Sequence, residues 1–389
     1  MREHKPGASD RKVGTGFRNN PVREQKPGPS ARLRLRAGAF GRRLGASLRR
    51  TVPTLAVAAA GGLAFDWIDL PAAWLGGAAI AVAVASLAGL RAHVPLGLRA
   101  VVFCVLGVSM GTGITPETIH RVREWPISLA LLPIVVAGVV WGSYLFLRGV
   151  ARWDRATAFY ASIPGALSYV MAVAVQSPAD IKRVATSQSI RLLTLVAVLP
   201  LLVGGPAAET AVDLAFPALH AGLPDVALLI ACGAVAGLAF GRLGVPAGML
   251  TGAFLASALL HGTGAVPALP LPMWLLVPGF VCLGALTGSR IGGIGLRAFA
   301  GLAVVSCGAL VVGLAVSLAG AMAVVATTSA TMAMALLAFA PGGIDAMTAL
   351  AMLLGADPAF VATHQLVRLV LLLVCVPVAI RLAGVGAAR

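Results

Sequence analysis

Two stretches of this 389-residue chain concentrate the residue types that can do chemistry inside an otherwise apolar sequence. The first is Pro164-Gly165, followed by Ser168, Asp180, Gln188 and Arg191; the second is Pro341-Gly342-Gly343, followed by Asp345, Asp357, His364, Gln365 and Arg368. They are copies. Pro164, Asp180, Arg191 and Pro200 recur 177 residues later as Pro341, Asp357, Arg368 and Pro377. Val184-Ala185-Thr186-x-Gln188-x-x-Arg191 reappears as Val361-Ala362-Thr363-x-Gln365-x-x-Arg368, and 14 of the 37 residues from 164 to 200 match their counterparts without a gap. Apolar sequence aligns by accident, but rarely with its proline and charged positions in register. The chain is an internal duplication.

Proline removes a donor and clashes with the preceding turn, and glycine adds backbone freedom. Each copy therefore predicts two short half-helices around an unwound centre. Freed amides and the helix dipole favour an anion there, while a facing carbonyl end holds a cation. Asp345 follows the second break directly, and Ser168 is its counterpart. Asp345 has two compatible readings: an N-cap bonded to its own first-turn amides, or a group that takes up a proton or binds a coupling cation.

At ~100° per residue, helical positions i, i+7 and i+11 fall within ~40° of one another. Asp180, Ser187 and Arg191 thus form one stripe, and Asp357, His364 and Arg368 the other. A helical separation of ~16 Å keeps each Asp from touching the Arg on its own helix. Arg191 and Arg368 either hold a substrate carboxylate or phosphate, or serve the structure by capping the unwound carbonyls or meeting a charge in the other repeat. Gln188 and Gln365 carry the same ambiguity, with interhelical hydrogen bonding as the structural role. The candidate substrate and ion site is therefore Pro164, Gly165, Ser168, Arg191, Gly342, Gly343, Asp345 and Arg368, with Asp180, Gln188, Asp357, His364 and Gln365 behind them.

The elements that must position these residues follow from composition. The chain is 59% apolar and 11% charged, against roughly 25% charged in soluble domains. Its apolar mass is Ala, Leu, Val and Gly, the filling of packed membrane helices. This predicts an all-α, polytopic integral membrane protein. The first half holds apolar segments over 52–66, 71–90, 97–114, 126–149, 154–175 and 184–203; the second holds them over 225–240, 246–261, 273–288, 301–324, 327–354 and 361–382. Most are long enough for ~30 Å of hydrocarbon.

Basic residues orient these segments. Sixteen Lys and Arg follow residue 50, and if all twelve segments cross from a cytoplasmic start, nine of them lie outside, against the positive-inside rule. If the two broken segments turn back, only Arg121, Arg123 and Arg368 lie outside. Ten crossings plus two re-entrant hairpins follow, with both termini cytoplasmic, Gly205 external and Gly241 internal. An odd number of crossings per half makes the halves inverted repeats. A continuous broken crossing, with another segment re-entrant, is the alternative. The expected organisation is a basic disordered cytoplasmic tail over 1–50, a first membrane repeat over 51–204, an external linker over 205–224 and a second repeat over 225–389, in a bacterial inner membrane.

The tail holds 14 of the 30 Lys and Arg and +11 of the formal +16 charge. That fits a cytoplasmic flank touching anionic lipid. It contains no nucleic-acid reader module, so no direct nucleic-acid binding is expected. The five cysteines and six histidines are scattered without ligand spacing, so no metal, cofactor or disulfide is expected, and nothing points to an enzyme.

The runs Phe159-Tyr160-Ala161-Ser162-Ile163-Pro164-Gly165 and Ala340-Pro341-Gly342-Gly343, each followed by Asp-x-x-x-Val-Ala-Thr-x-Gln-x-x-Arg, resemble the AbrB-duplication membrane family over about residues 52–385. Its members carry the labels AbrB-family transcriptional regulator and ammonia monooxygenase, and the family looks related to inverted-repeat cation/anion transporters. This chain departs from it at Ser168, where such proteins often place an acid, and at Ser187, opposite His364. A monooxygenase would need a redox-metal ligand cluster, which the sequence does not display. The resemblance implies a secondary transporter or exporter of a small solute, an anion where the arginines hold it, with lipid around the protein and a proton or cation as coupling ion. The alternative is a non-transporting membrane regulator or sensor that affects gene expression indirectly.

Overall fold

The computed structural model describes residues 29–112, 114, 125–165, 167–203, 223–245, 247–266 and 271–383. Among the described residues every regular element is a helix. The first half contains α1 (Pro29–Trp67), α2 (Ala73–Leu87), α3 (Leu96–Gly111), α4 (Trp125–Gly149), α5 (Arg155–Ser162), α6 (Leu167–Ala174) and α7 (Ile181–Val203). The second contains α8 (Leu223–Arg242), α9 (Gly248–Gly262), α10 (Met273–Ser289), α11 (Leu296–Thr327), α12 (Met332–Phe339), α13 (Ile344–Leu353) and α14 (Pro358–Ala383). Each of the twelve predicted segments is found. The two that carry Pro-Gly are the two that split, into α5/α6 and α12/α13.

Among the described residues five helices, α4, α7, α8, α11 and α14, are long and apolar enough to cross a membrane. Burial shows what surrounds them. Only 28% of the most apolar window of α4 and of α11 is covered by protein, and 17% of that of α8. Their outward side chains include Ile134, Trp141, Val235, Val304 and Val311, all exposed. An apolar surface this continuous marks a membrane-type protein rather than a water-soluble one.

The described residues from Ser47 onward form one compact unit, and those before it belong to a separate one. α1 begins at Pro29, inside the stretch assigned to the tail. Proline is at home in a first helical turn, and the Arg, Leu and Ala that follow are strong helix formers. Residues 1–28 of the tail, and positions 204–222 of the linker with Gly205, lie outside the described residues.

The duplication is visible in the packing. Ala72 and Ala247, each just after a proline, both take the left-handed conformation (φ 54° and 53°) and cap α2 and α9. α3 lies on α9 and α10 lies on α2 through the same small-residue contacts. A Cβ on Gly107 would fall 2.5 Å from Leu250 O, and one on Gly284 would fall 2.6 Å from Leu75 O. One turn later, Gly111 meets Ser257 and Ala258, as Gly288 meets Val82 and Ala83. In both pairs contact advances in the same sense along the two helices, so each pair is parallel. The counterparts α4 and α11 pack on each other antiparallel. Val135 meets Gly320, Gly138 meets Val316, Gly142 meets Val312 and Phe146 meets Gly308. Ser143 donates to Ala309 O at 3.3 Å within that seam.

Candidate functional site

The two breaks are built alike. α5 ends at Ser162, and Ile163 turns to extended backbone (φ −68°, ψ 121°). α12 ends at Phe339, and Ala340 does the same (φ −55°, ψ 139°). Both precede proline, which disfavours the helical conformation in the preceding residue. The last carbonyls of each half-helix are then left without helical amide partners.

Side chains from α7 and α14 supply the missing donors. Arg191 Nη2 donates to Ile163 O at 3.0 Å, its Nη1 to Ala161 O at 3.4 Å, and Gln188 Nε2 to Tyr160 O at 3.1 Å. In the second copy Arg368 Nη1 donates to Ala340 O at 2.5 Å, and its Nη2 donates to Gly342 O and to Gln365 Oε1. Gln365 Nε2 donates to Leu337 O at 2.8 Å and to Ala338 O at 3.2 Å. Both arginines are buried, at 9% and 3% exposure. Of the two readings open from sequence, capping of unwound carbonyls is realised at both positions. A guanidinium has five N–H donors, so neither is exhausted by these bonds.

The breaks meet. Gly165 sits at φ +74°, and a Cβ there would lie 3.3 Å from Arg368 Nη2 and 3.4 Å from Gly342 O. Only glycine takes this backbone readily while letting the opposite break come so close. Around the meeting point is a cavity of about 580 Å³. Pro164, Gly165, Gln188 and Arg191 line it from the first copy; Gly342, Gly343, Asp345, Gln365 and Arg368 line it from the second. The side chain of Ser168, near the start of α6, is outside the described residues.

Asp345 lies in the first turn of α13, but the N-cap is Gly343 and no side-chain cap bond forms. Its Oδ1 instead curls back over the backbone, where a Cβ on Gly343 would lie 2.7 Å away. Among the described residues no hydrogen bond or ion pair reaches this carboxylate; the one ion pair found there joins Arg183 to Asp180. The N-cap reading of Asp345 is thereby corrected. Glycine, able to take the extended cap conformation without a side chain, already fills that position.

Two charged lining residues were missed from sequence: Arg99 of α3 and Arg290 at the end of α10. Both belong to helix-end charges that a membrane reading assigns to the interface. The Arg99 guanidinium stacks over Phe103, 4.9 Å from the ring centroid, and that stacking i+4 aromatic was the available signal.

The sequence model of the family described as "Transition state regulatory protein AbrB" matches residues 74–384. The chain belongs to the AbrB family. It is 27% identical over 322 residues to the protein called "Putative regulator AbrB" of Escherichia coli (strain K12), covering 81% of this chain and 91% of that protein. It is 26% identical over 293 residues to "Uncharacterized protein YhjN" of Bacillus subtilis (strain 168), covering 70% and 75%. No solved structure matches it.

In this AbrB-family chain the remaining candidates stand away from the cavity. Asp180 Oδ1 accepts from Arg183 N at 3.1 Å, and Asp357 Oδ1 accepts from Ala359 N at 2.8 Å and Phe360 N at 3.3 Å. Both carboxylates therefore serve the starts of α7 and α14. His364 is fully buried between Phe360, Phe339 and Trp125. Its Nδ1 bonds Phe360 O and its Nε2 bonds Ser128 Oγ, both at 2.8 Å. Ser187 accepts from Ser306 Oγ at 3.0 Å. The stripe facing is right, but only its last turn, with Gln and Arg, reaches the break. Among the described residues no three His, Cys, Asp or Glu side chains gather as a metal-ligand set.

Proposed function

We propose that this AbrB-family protein is a secondary transporter or exporter of a small anionic solute, whose site is the cavity where the two Pro-Gly breaks meet. The observation that carries the reading is the charge on that cavity. Arg99, Arg191, Arg290 and Arg368 line it against one carboxylate, Asp345. With all groups ionised that is a surplus of three positive charges among the described lining residues. Uncompensated charge inside a membrane protein is costly, and a solute bearing carboxylate or phosphate groups offsets it. Asp345, free of partners, is the group placed to take up a proton or bind a cation and so couple a gradient to the solute's passage.

The architecture we infer is a pair of inverted repeats, with ten crossings and two re-entrant hairpins. The antiparallel seam between the counterparts α4 and α11 supports it, because a two-fold axis relating antiparallel spanning helices lies in the membrane plane. The parallel pairs α3–α9 and α2–α10 agree, since each joins a helix to the neighbour of its own counterpart. In this topology both termini, Arg99, Arg290 and the α8–α9 turn face the cytoplasm of a bacterial inner membrane. The cavity then opens inward, and no nucleic acid is contacted directly.

The second reading takes its support from the Escherichia coli relative's name: a membrane regulator or sensor that does not transport. Purified protein in liposomes decides between them. Uptake or efflux of di- and tricarboxylates or phosphate, driven by an imposed proton or sodium gradient, is expected. Binding of such anions with no gradient-driven flux selects the sensor. Single-cysteine labelling tests the topology, with Gly205 expected outside and Gly241 inside.

A further inference from the structure

A second recess, of about 510 Å³, lies away from the central cavity where the end of α2 meets the glycine-rich turn between α10 and α11. Ser289 lines it, whereas the next residue, Arg290, lines the central cavity. Four features of the recess point to the same ligand chemistry.

The first is the start of α11, a 32-residue helix whose N-cap, Gly295, offers no side chain to the first-turn amides. The first intrahelical bond is donated by Phe299 to Gly295 O, at 2.9 Å. The amides of residues 296–298 therefore have no helical acceptor, and among the described residues none is found for Gly293, Ile294 or Gly295. The second is the charge of that turn, which holds no acid. Arg297 stands in it and Arg91 lines the recess, so two cations surround a helix end that is itself positive. The third is backbone access, because Gly292, Gly293 and Gly295 line the recess without side chains in the way. The fourth is Ser86. It is 4% exposed, it lines the recess, and its hydroxyl has no hydrogen-bond partner. A helical serine usually bonds its own i−4 carbonyl; this one is left for something else.

We propose that this recess binds a phosphate group, with the α11 amides and Ser86 donating to its oxygens and Arg91 balancing its charge. Glycine-rich turns feeding helix N-termini are suited to this anion. The phosphate belongs either to a soluble phosphorylated solute or to the headgroup of an anionic lipid. The site does not depend on transport, so it stands or falls separately from the central cavity.

The test uses full-length protein, first in detergent with inorganic phosphate, then in nanodiscs of phosphatidylcholine with or without phosphatidylglycerol. Thermal unfolding and native mass spectrometry are the readouts. A rise in Tm with inorganic phosphate that Arg91→Gln reduces identifies the soluble source, since binding in the central cavity is indifferent to Arg91. A raised Tm and retained lipid only with phosphatidylglycerol identify the headgroup. Arg91→Gln should weaken binding about tenfold or more, the loss of one charge-assisted hydrogen bond. Ser86→Ala separates a ligand site from a packing flaw. It removes an unsatisfied buried hydroxyl, so the ligand-free protein should melt higher while the ligand-induced rise shrinks. Stabilisation by neither source overturns the proposal, as does an unchanged ligand response in both variants.

Discussion

The first Pro-Gly break and the second are the same device with different fittings. In each, an extended residue before proline strips partners from the end of a half-helix, and one Gln and one Arg three residues on restore them. The second break is more heavily bonded and more deeply buried, and it carries the carboxylate. The first has glycine in the left-handed region and serine in place of the acid. The duplicated scaffold keeps what its backbone needs, namely proline, glycine and the capping pair, and its copies diverge at the position of Ser168 and Asp345. The asymmetry is thus where the function should be sought.

Removing the capping arginines should have the largest effect. Each buried acceptor left unsatisfied costs about 1–3 kcal/mol. Arg368→Met strips Gly342 O and Gln365 Oε1 and takes one of three donors from Ala340 O, which keeps Gly342 N and Gln365 Nε2, whereas Arg191→Met strips Ala161 O and Ile163 O, which it holds at longer distances. Loss of a buried charge relieves desolvation alike in both, so the difference between them reports the caps. Equilibrium unfolding in detergent should show a loss of roughly 3 kcal/mol or more for Arg368→Met, and less for Arg191→Met. Equal losses would mean that the breaks are not unequally bonded.

The glycines come next. Gly165→Ala puts a side chain at φ +74° and within 3.3 Å of Arg368 Nη2. Strain of that kind costs about 1–3 kcal/mol. Gly342→Ala keeps ordinary backbone, and the nearest atoms to its Cβ are three of the Met347 side chain, at 2.7 Å. A methionine yields, so about 1 kcal/mol or less is expected there. The same unfolding series measures both, and a reversed order would place the close approach on the wrong copy.

Smaller still are the caps of the half-helices, and here the copies differ in chemistry. Asp154 accepts from Thr157 N at 2.9 Å to start α5, while Thr331 accepts from Met334 N at 3.3 Å to start α12. Alanine at either position should cost about 1 kcal/mol near neutral pH. Burial pushes the Asp154 carboxyl up, but hydrogen bonds from Thr157 and the neighbouring amides outweigh it and hold the group below its ordinary range. A carboxylate lowered in this way stabilises the fold above its unfolded pKa, and that contribution disappears as pH falls through the folded value. The penalty of Asp154→Ala should therefore vanish in acid, while that of Thr331→Ala should not change with pH.

Much of this was legible in the sequence, because duplication turns weak signals into paired ones. Pro164 alone could be a kink; Pro164 and Pro341, each with Gly, Gln and Arg at the same offsets, specify two breaks and the side chains that cap them. Arg290 was not legible, and Arg99 only through Phe103 four residues on. Neither has an arginine counterpart in the other copy, and each reaches the cavity only because α3 and α10 pack beside the breaks, a tertiary fact that periodicity does not encode. His364 fell short for another reason. Gln365, the next residue along α14, lines the cavity, whereas His364, turned ~100° from it, packs among Phe360, Phe339 and Trp125, so a stripe ~40° wide is too coarse to separate the two faces.

Asp345 should have the smallest effect on stability and the largest on function. Its carboxylate makes no hydrogen bond or ion pair among the described residues, so Asp345→Asn breaks no contact of the fold. The asparagine keeps the volume and loses the favourable meeting of a negative charge with the α13 N-terminus, an effect of about 0.3–1 kcal/mol. Unfolding midpoints should therefore stay close to wild type. Flux in liposomes should not. If this carboxylate takes up the coupling ion, the variant keeps its arginines, and so binds the anion, but gradient-driven uptake disappears. Anion binding should tighten if anything, because the one negative charge on the cavity has gone. Undiminished gradient-driven transport by Asp345→Asn would show that the acid of the second copy is not the coupling group, and that the difference between the two breaks lies elsewhere.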